Sequence, residues 1–196
     1  RAKTHPFCWV LSSPGPAAPD RTREPYKTMY SQFAVKAPVT MESSVVVGRP
    51  KWAVGGKNEA GDFDPEYVSA YFGMVKCIDD NVVRILQFLD DNHLTENTIV
   101  VFTSDHGDLL FEHKRINKDL PYESSARIPF IIRYPNKILP GKVIRKTYTT
   151  IDFAPTVLGL MNAGHIAGVH GINDADVFLS KDKEVVSDRI VYTTDS

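Results

Sequence analysis

A chain of 196 residues, 42% hydrophobic and 24% charged, is long enough for one domain with a sizeable core, and its composition excludes a disordered or fibrous protein. A formal net charge of -1 exerts no general pull on nucleic acid or an anionic membrane, so any anion recognition must be local. No apolar run reaches the roughly 18 residues of a membrane-spanning helix, and two cysteines, Cys8 and Cys77, make no disulfide framework; both read as buried small hydrophobes.

In chain order, residues 6–12 form a short run of β-formers that ends in Ser13-Pro14-Gly15-Pro16, which predicts a buried strand entering a rigid loop. Residues 20–62 carry scattered Pro, Gly, Lys and Arg, with one apolar run at residues 44–47. So long a connection is uncommon in a compact domain unless functional or mobile. Its Arg49, Lys51 and Lys57 read first as a solvated surface loop, with a substrate-contacting loop as the alternative. Asp64-Pro65 then marks a helix start. Tyr67, Tyr71, Phe72, Val75, Ile78, Val82, Ile85, Leu86 and Leu89 recur at spacings of three and four, predicting a helix with one wide apolar face to about Asn92. Asp79-Asp80 and Asp90-Asp91 lie within it, but neighbouring helical residues point about 100° apart; these carboxylates are read as solvated or capping.

Residues 99–103, all β-branched or aromatic, predict a strand buried on both faces, hence a central parallel strand flanked by helices. The fold class expected is α/β, a mostly parallel buried sheet covered by helices. Ligands of open α/β sheets bind outside the carboxyl ends of the strands, and there the sequence turns polar: Asp105, His106, Gly107. An adjacent carboxylate and imidazole suit a divalent cation; a plain turn is the other reading of three such residues. Residues 129–134 give a second buried strand, and residues 147–150 a short extended piece. Asp152 is expected to cap a helix with Pro155 in its first turn, His165 and His170 to lie on the surface, and residues 190–193 to form a last strand.

The sequence Ser104-Asp105-His106-Gly107-Asp108, followed by Glu112-His113, Lys118, Tyr122-Glu123, Arg127-Ile128-Pro129 and Tyr134-Pro135, resembles the sulfatase family of the alkaline phosphatase superfamily. The likeness reaches back through Tyr71, Ile78-Asp79 and Glu96-Asn97-Thr98 and forward to Asp152-Phe153-Ala154-Pro155-Thr156, most of the chain. It implies one partial sulfatase-like domain over residues 1–196, truncated at both ends. It implies a divalent metal, calcium or magnesium, held by Asp105 and His106, and a sulfate-ester substrate, small molecule or glycan, bound by Lys118 and His113.

The sequence also departs from the family. Sulfatases carry a Cys/Ser-x-Pro-x-Arg segment whose first residue becomes formylglycine, the nucleophile, and an Asp-Asp pair that completes the metal site. Cys8 is followed by Trp9-Val10-Leu11 and Cys77 by Ile78-Asp79-Asp80, so neither element is present and the nucleophile is expected upstream of Arg1. The family's Pro-His-x-Pro loop is matched by Pro16-Ala17-Ala18-Pro19, where alanine offers no hydrogen bond to a sulfate. Glycines common near Phe111 and Lys114 are replaced by larger residues, which predicts a different loop shape. The resemblance implies a sulfuric ester hydrolase acting through a covalent sulfo-enzyme in the parent protein, with this piece inactive alone. Two alternatives stay open: a two-zinc nucleotide pyrophosphatase or phosphodiesterase of the same superfamily, and a non-catalytic relative that keeps the fold for binding.

Overall fold

The computed structural model describes residues 5–17, 22–42 and 58–189, and the chain divides into two units, Arg1–Leu94 with His106–Pro129 and Thr95–Asp105 with Phe130–Ser196. In the first, one helical turn, α1 (Val39–Glu42), precedes the long α2 (Pro65–Asp91). The Asp64 carboxylate accepts from the N–H groups of Glu66 at 2.9 Å and Tyr67 at 3.2 Å. Proline follows where its missing N–H is no loss, and Asn92 ends the helix by donating its N–H to the Phe88 carbonyl.

Gly73 of α2 packs so tightly that a Cβ there would stand 2.0 Å from the Tyr26 carbonyl oxygen. Tyr26 Oη donates to Asp80 at 2.8 Å, and Lys76 Nζ reaches Asp79 at 3.0 Å and Asp80 at 2.6 Å. Asp80 is therefore a tertiary anchor as well as a surface carboxylate. The apolar face is buried at Val68, Met74 and Leu89, whereas Phe72 and Val75 are exposed. A short helix, α3 (Glu123–Ala126), completes this unit.

Two expectations for this unit are corrected. Residues 6–14 have no strand structure, and Trp9 and Val10 are 64% and 81% exposed. A strand requires a neighbour to take its hydrogen bonds, and among the described residues none pairs with this segment. Cys8 is consequently exposed; Cys77, on α2, is half-buried.

The second unit holds β1 (Val100–Thr103), β2 (Phe130–Arg133), β3 (Val143–Lys146), α4 (Thr150–Met161), α5 (Ala175–Leu179) and β4 (Glu184–Ser187). It is a mixed α/β unit. β3 and β4 pair in parallel, with Val143 opposite Glu184, but β1 pairs antiparallel with β2, Val100 opposite Arg133. The parallel setting expected for β1 is thus not the one found, since a continuous apolar run reports burial and not direction. Nor are both faces of the pair covered: Phe130 and Ile132 pack on the core of Ile138, Leu160, Ala175 and Phe178, while Ile131 is 62% exposed. The extended piece expected near residues 147–150 lies earlier, as β3, because Thr150 already belongs to α4. Residues 44–47, Arg49, Lys51, Lys57 and residues 190–193, for which roles or a strand were expected, fall outside the described residues.

α4 is capped by Thr149, with Asp152 three positions inside it. The Asp152 carboxylate accepts from Thr149 N at 3.0 Å, Thr149 Oγ1 at 2.9 Å, Ile172 N at 2.8 Å and both Arg189 guanidinium nitrogens. One helical turn on, Thr156 Oγ1 donates to the Ile172 carbonyl and accepts from Asp174 N at 3.0 Å. Residues 171–174 are thereby tied to α4, so closely that a Cβ on Gly171 would meet the Ile151 carbonyl oxygen at 1.9 Å.

Asp152 is wholly buried. Burial alone would raise its pKa, but Arg189 and the donors of Ile172 and Thr149 outweigh it and hold the carboxyl at about 2. A pKa depressed on folding gives stability that is complete above the unfolded value, near 4, and is lost as pH falls toward 2. Asp152→Asn leaves Arg189 without its anion and should destabilise by about 3 kcal/mol. Urea unfolding between pH 6 and pH 2 should show the wild-type chain losing stability below pH 4 more steeply than the variant; parallel curves would refute the assignment.

Candidate functional site

The corner after β1 is shaped by a close approach. Gly107 N donates to the Ser125 carbonyl at 2.8 Å, and a Cβ on Gly107 would stand 2.0 Å from the Ser124 carbonyl oxygen. Glycine is thus required by contact with the start of α3, not by an unusual φ. Asp105 closes the second unit and is exposed, accepting from Ser104 Oγ at 3.3 Å. His106, its neighbour in sequence, opens the next segment of the first unit.

The His106 ring is engaged at both nitrogens. Nδ1 lies 2.7 Å from the Gly107 carbonyl oxygen and Nε2 lies 2.7 Å from Lys118 Nζ. A carbonyl only accepts and an ammonium only donates, so the pairing is satisfied with the proton on Nδ1 and with Nε2 accepting from Lys118. Lys118 is exposed, and this contact gives its long side chain a direction. Sequence reading placed His106 with the metal and Lys118 with the substrate; the structure brings the two together.

His113 is placed differently. Its ring stacks flat on Tyr122, centroids 3.9 Å apart at 18°, and its backbone N–H donates to Thr40 Oγ1 of α1 at 3.4 Å. Beside it, Ser124 Oγ donates to Glu112 at 2.9 Å. Ala17 is exposed, at the end of a turn in which its N–H donates to the Pro14 carbonyl at 3.2 Å; Ala18 and Pro19 lie outside the described residues.

The loop carrying Lys118 is unusual in its backbone. Leu110, Phe111, His113, Lys114, Asn117 and Asp119 all have φ between 41° and 88°, a left-handed conformation that disfavours side chains with a Cβ. Phe111 and Lys114, where the sequence predicted a reshaped loop, adopt φ of 72° and 58°, the conformation glycine would favour. Phe111 is compensated by burial between Phe63 and Tyr67, centroids at 5.2 and 5.7 Å.

Two residues that sequence reading left without a role support this loop. Asp108 Oδ1 accepts from Leu110 N at 2.9 Å and Asn117 N at 3.1 Å; burial pushes its carboxyl up, partly offset by those donors. Asn58 donates to the Lys118 carbonyl at 3.1 Å and to the Asp119 carboxylate. Asp108 stood inside the motif and was legible; Asn58, 60 residues from Lys118, had no local signal.

The two residues expected at a cation fall in different units, Asp105 in the second and His106 in the first, and two donors are fewer than the 6 to 8 oxygen-rich ligands calcium takes. No group of three or more His, Cys, Asp or Glu side chains among the described residues could hold a metal. Lys118 also stands at the His106 nitrogen that a cation would need.

Comparison with known proteins shows likeness chiefly to sulfatases, and among solved structures also to a phosphonate monoester hydrolase of Agrobacterium radiobacter, with a TM-score of 0.51 at 27% identity over 60% of this chain and 24% of the other. The family described as Sulfatase matches residues 1–163. The chain is 40% identical over 93 residues to an N-acetylglucosamine-6-O-sulfatase of Bacteroides thetaiotaomicron, covering 47% of the chain and 17% of that protein. It is 28% identical over 190 residues to an ulvan-active sulfatase of Formosa agariphila, covering 95% and 34%. Among solved structures, yidJ of Bacteroides fragilis superposes with a TM-score of 0.63 at 31% identity over 82% of this chain and 33% of the other. Another, in complex with its substrate D-glucosamine-2-N,6-O-disulfate, gives 0.58 at 32% identity over 61% and 24%. The chain thus spans about a third or less of the length of these relatives.

Lys114 is exposed and holds its φ of 58° through backbone contacts alone, its carbonyl accepting from Ala60 N at 2.8 Å and its N–H donating to the Phe111 carbonyl at 3.2 Å, both of which a glycine keeps. Lys114→Gly should relieve about 1–2 kcal/mol of strain against about 0.5–1 kcal/mol of added backbone entropy. A rise of about 2 °C in melting temperature is expected. A fall in the melting temperature would show that the loop does not hold this conformation.

Proposed function

The chain belongs to the sulfatase family, and we propose that the protein it is part of hydrolyses sulfate esters, with this chain supplying substrate-binding and metal-binding side chains. The observation that carries the reading is the ammonium of Lys118, held 2.7 Å from His106 Nε2 at the Asp-His-Gly corner. Family relatives bear names such as N-acetylglucosamine-6-O-sulfatase and endo-4-O-sulfatase, which supports a sulfated glycan as the substrate class, with a small aryl sulfate as its simplest surrogate.

In this reading Lys118 donates to the non-bridging oxygens of the sulfate. A compact ammonium suits a tetrahedral anion, and the loop delivers it from the side of the His106 ring. Asp105 and His106 are the residues that would hold a divalent cation, calcium or magnesium; when bound, such an ion neutralises charge on the sulfate oxygens. Lys118 engages His106 Nε2, so a cation held there would have to take the place of the ammonium, which would then be the donor offered to the anion. His113, stacked on Tyr122, supports the loop or meets the substrate edge. The nucleophile belongs to a part of the protein beyond residues 1–196, because no Cys/Ser-x-Pro-x-Arg segment occurs within them.

Charge on the non-bridging oxygens is present in both bound substrate and transition state, so Lys118→Ala should weaken binding and slow the reaction together. A charge-assisted hydrogen bond is worth about 1.5–3 kcal/mol, roughly a tenfold to hundredfold loss of kcat/KM. Steady-state kinetics of the full-length protein on an aryl sulfate measure this. An unchanged kcat/KM would move the substrate away from Lys118, and zinc-dependent turnover of a phosphodiester without sulfatase activity would overturn the whole reading. Residues 1–196 expressed alone are expected to turn over no sulfate ester; activity that survives in Lys118→Ala would point to a contaminant.

A further inference from the structure

Lys118 sits between Asn117, with φ 60°, and Asp119, with φ 88°. Asn and Asp tolerate a left-handed φ better than other residues with a Cβ, but they also adopt the ordinary conformations, so the contacts that hold this pair decide where the lysine's Cα lies. Those contacts come from two sides. From one, Asp108 takes Asn117 N at 3.1 Å, and Leu109 N donates to the Asn117 carbonyl at 2.7 Å. From the other comes Asn58. Its carbonyl accepts from Ile116 N at 3.1 Å, its Oδ1 accepts from Asn117 Nδ2 at 3.4 Å, and its Nδ2 donates to the Lys118 carbonyl and to the Asp119 carboxylate. One asparagine thus touches four consecutive residues, Ile116 to Asp119.

We propose that Asn58 is a positioning residue for Lys118, clamping the left-handed turn so that the ammonium is presented to the substrate anion; the proposal rests on the reading of Lys118 given above. The amide chemistry fits this role and not direct substrate contact. An asparagine amide has two N–H donors, and both are engaged, one by the Lys118 carbonyl and one by Asp119. Asp119 also sets the sense of the clamp, because its carboxylate demands a donor at position 58. Asparagine supplies one, whereas an aspartate there would place two carboxylates face to face. A misplacement of the order of 1 Å at a charged group can slow catalysis a hundredfold, so an indirect effect through Lys118 is measurable.

The test is a double-mutant cycle in the full-length protein with an aryl sulfate as substrate. Asn58→Ala should lower kcat/KM about tenfold beside an intact Lys118, and less than twofold in the Lys118→Ala background, because the clamp then has nothing to present. Asn58→Asp should be worse than Asn58→Ala, because it sets a carboxylate against both the Lys118 carbonyl and the Asp119 carboxylate; Asp119→Asn added to it removes the second clash and should restore part of the lost activity. Equal losses in both Lys118 backgrounds, or no rescue by Asp119→Asn, would assign Asn58 to general stability and overturn the proposal while leaving Lys118 in its role. If Lys118→Ala itself is silent, the reading of Lys118 fails first, and the clamp with it.

Discussion

The contact on which the candidate site depends is the one between Gly107 and the Ser124 and Ser125 backbone. Gly107 N donates to the Ser125 carbonyl at 2.8 Å with no space for a Cβ, closing residues 107–125 into a loop anchored at its own base. His113, Lys118, Asp108 and Tyr122 lie within that loop, and His106 adjoins it. Closing the base removes part of the loop's freedom. Once the base is fixed, the directions from which Lys118 can reach His106 are set by the turns inside.

Those turns store strain, and the structure offsets it by different means at its two ends. At Phe111 the offset is hydrophobic: a large ring, 5% exposed, edge-on to Phe63 and Tyr67, where burial of a full aromatic side chain is worth roughly 1.5–3 kcal/mol. This matches or exceeds the roughly 1–2 kcal/mol of a left-handed residue with a Cβ. Tyr67 stands on the first turns of α2, so the capped start of that helix is also the support of the loop. At residues 117–119 the side chains are exposed or half-buried, and the offset is polar, from Asn58 and Asp108. Asn and Asp are also the residues that tolerate positive φ best.

What could be read in the sequence follows the range of the forces involved. The start and end of α2, with Asp64 and Pro65 at one end and Asn92 at the other, are local effects of one or two turns and were legible. So was the polar corner at Asp105 and His106, since the change from apolar to polar sits within the motif. The direction of β1 was not legible, because pairing with β2 is decided by residues about 30 positions away. The left-handed backbone at Phe111 and Lys114 was not legible for a related reason. A side chain's intrinsic dislike of positive φ is local, but the packing of Phe111 against Phe63 and Tyr67 that overrides it is tertiary. Asn58 is the extreme case, a polar residue in a featureless stretch whose partners all lie near position 118.

The same reasoning bears on what His106 does. Its Nδ1 faces the carbonyl of its own successor, Gly107, a contact set by the backbone and fixed wherever that corner is formed. Nε2 faces Lys118, a contact made by a flexible chain of four methylenes that can leave at little energetic expense. The ring is thus directed by the backbone at Nδ1 and by a long side chain at Nε2. In the proposed reading a cation at Nε2 would have to displace the ammonium, and the two positive charges would then lie near one another, both able to face an anion.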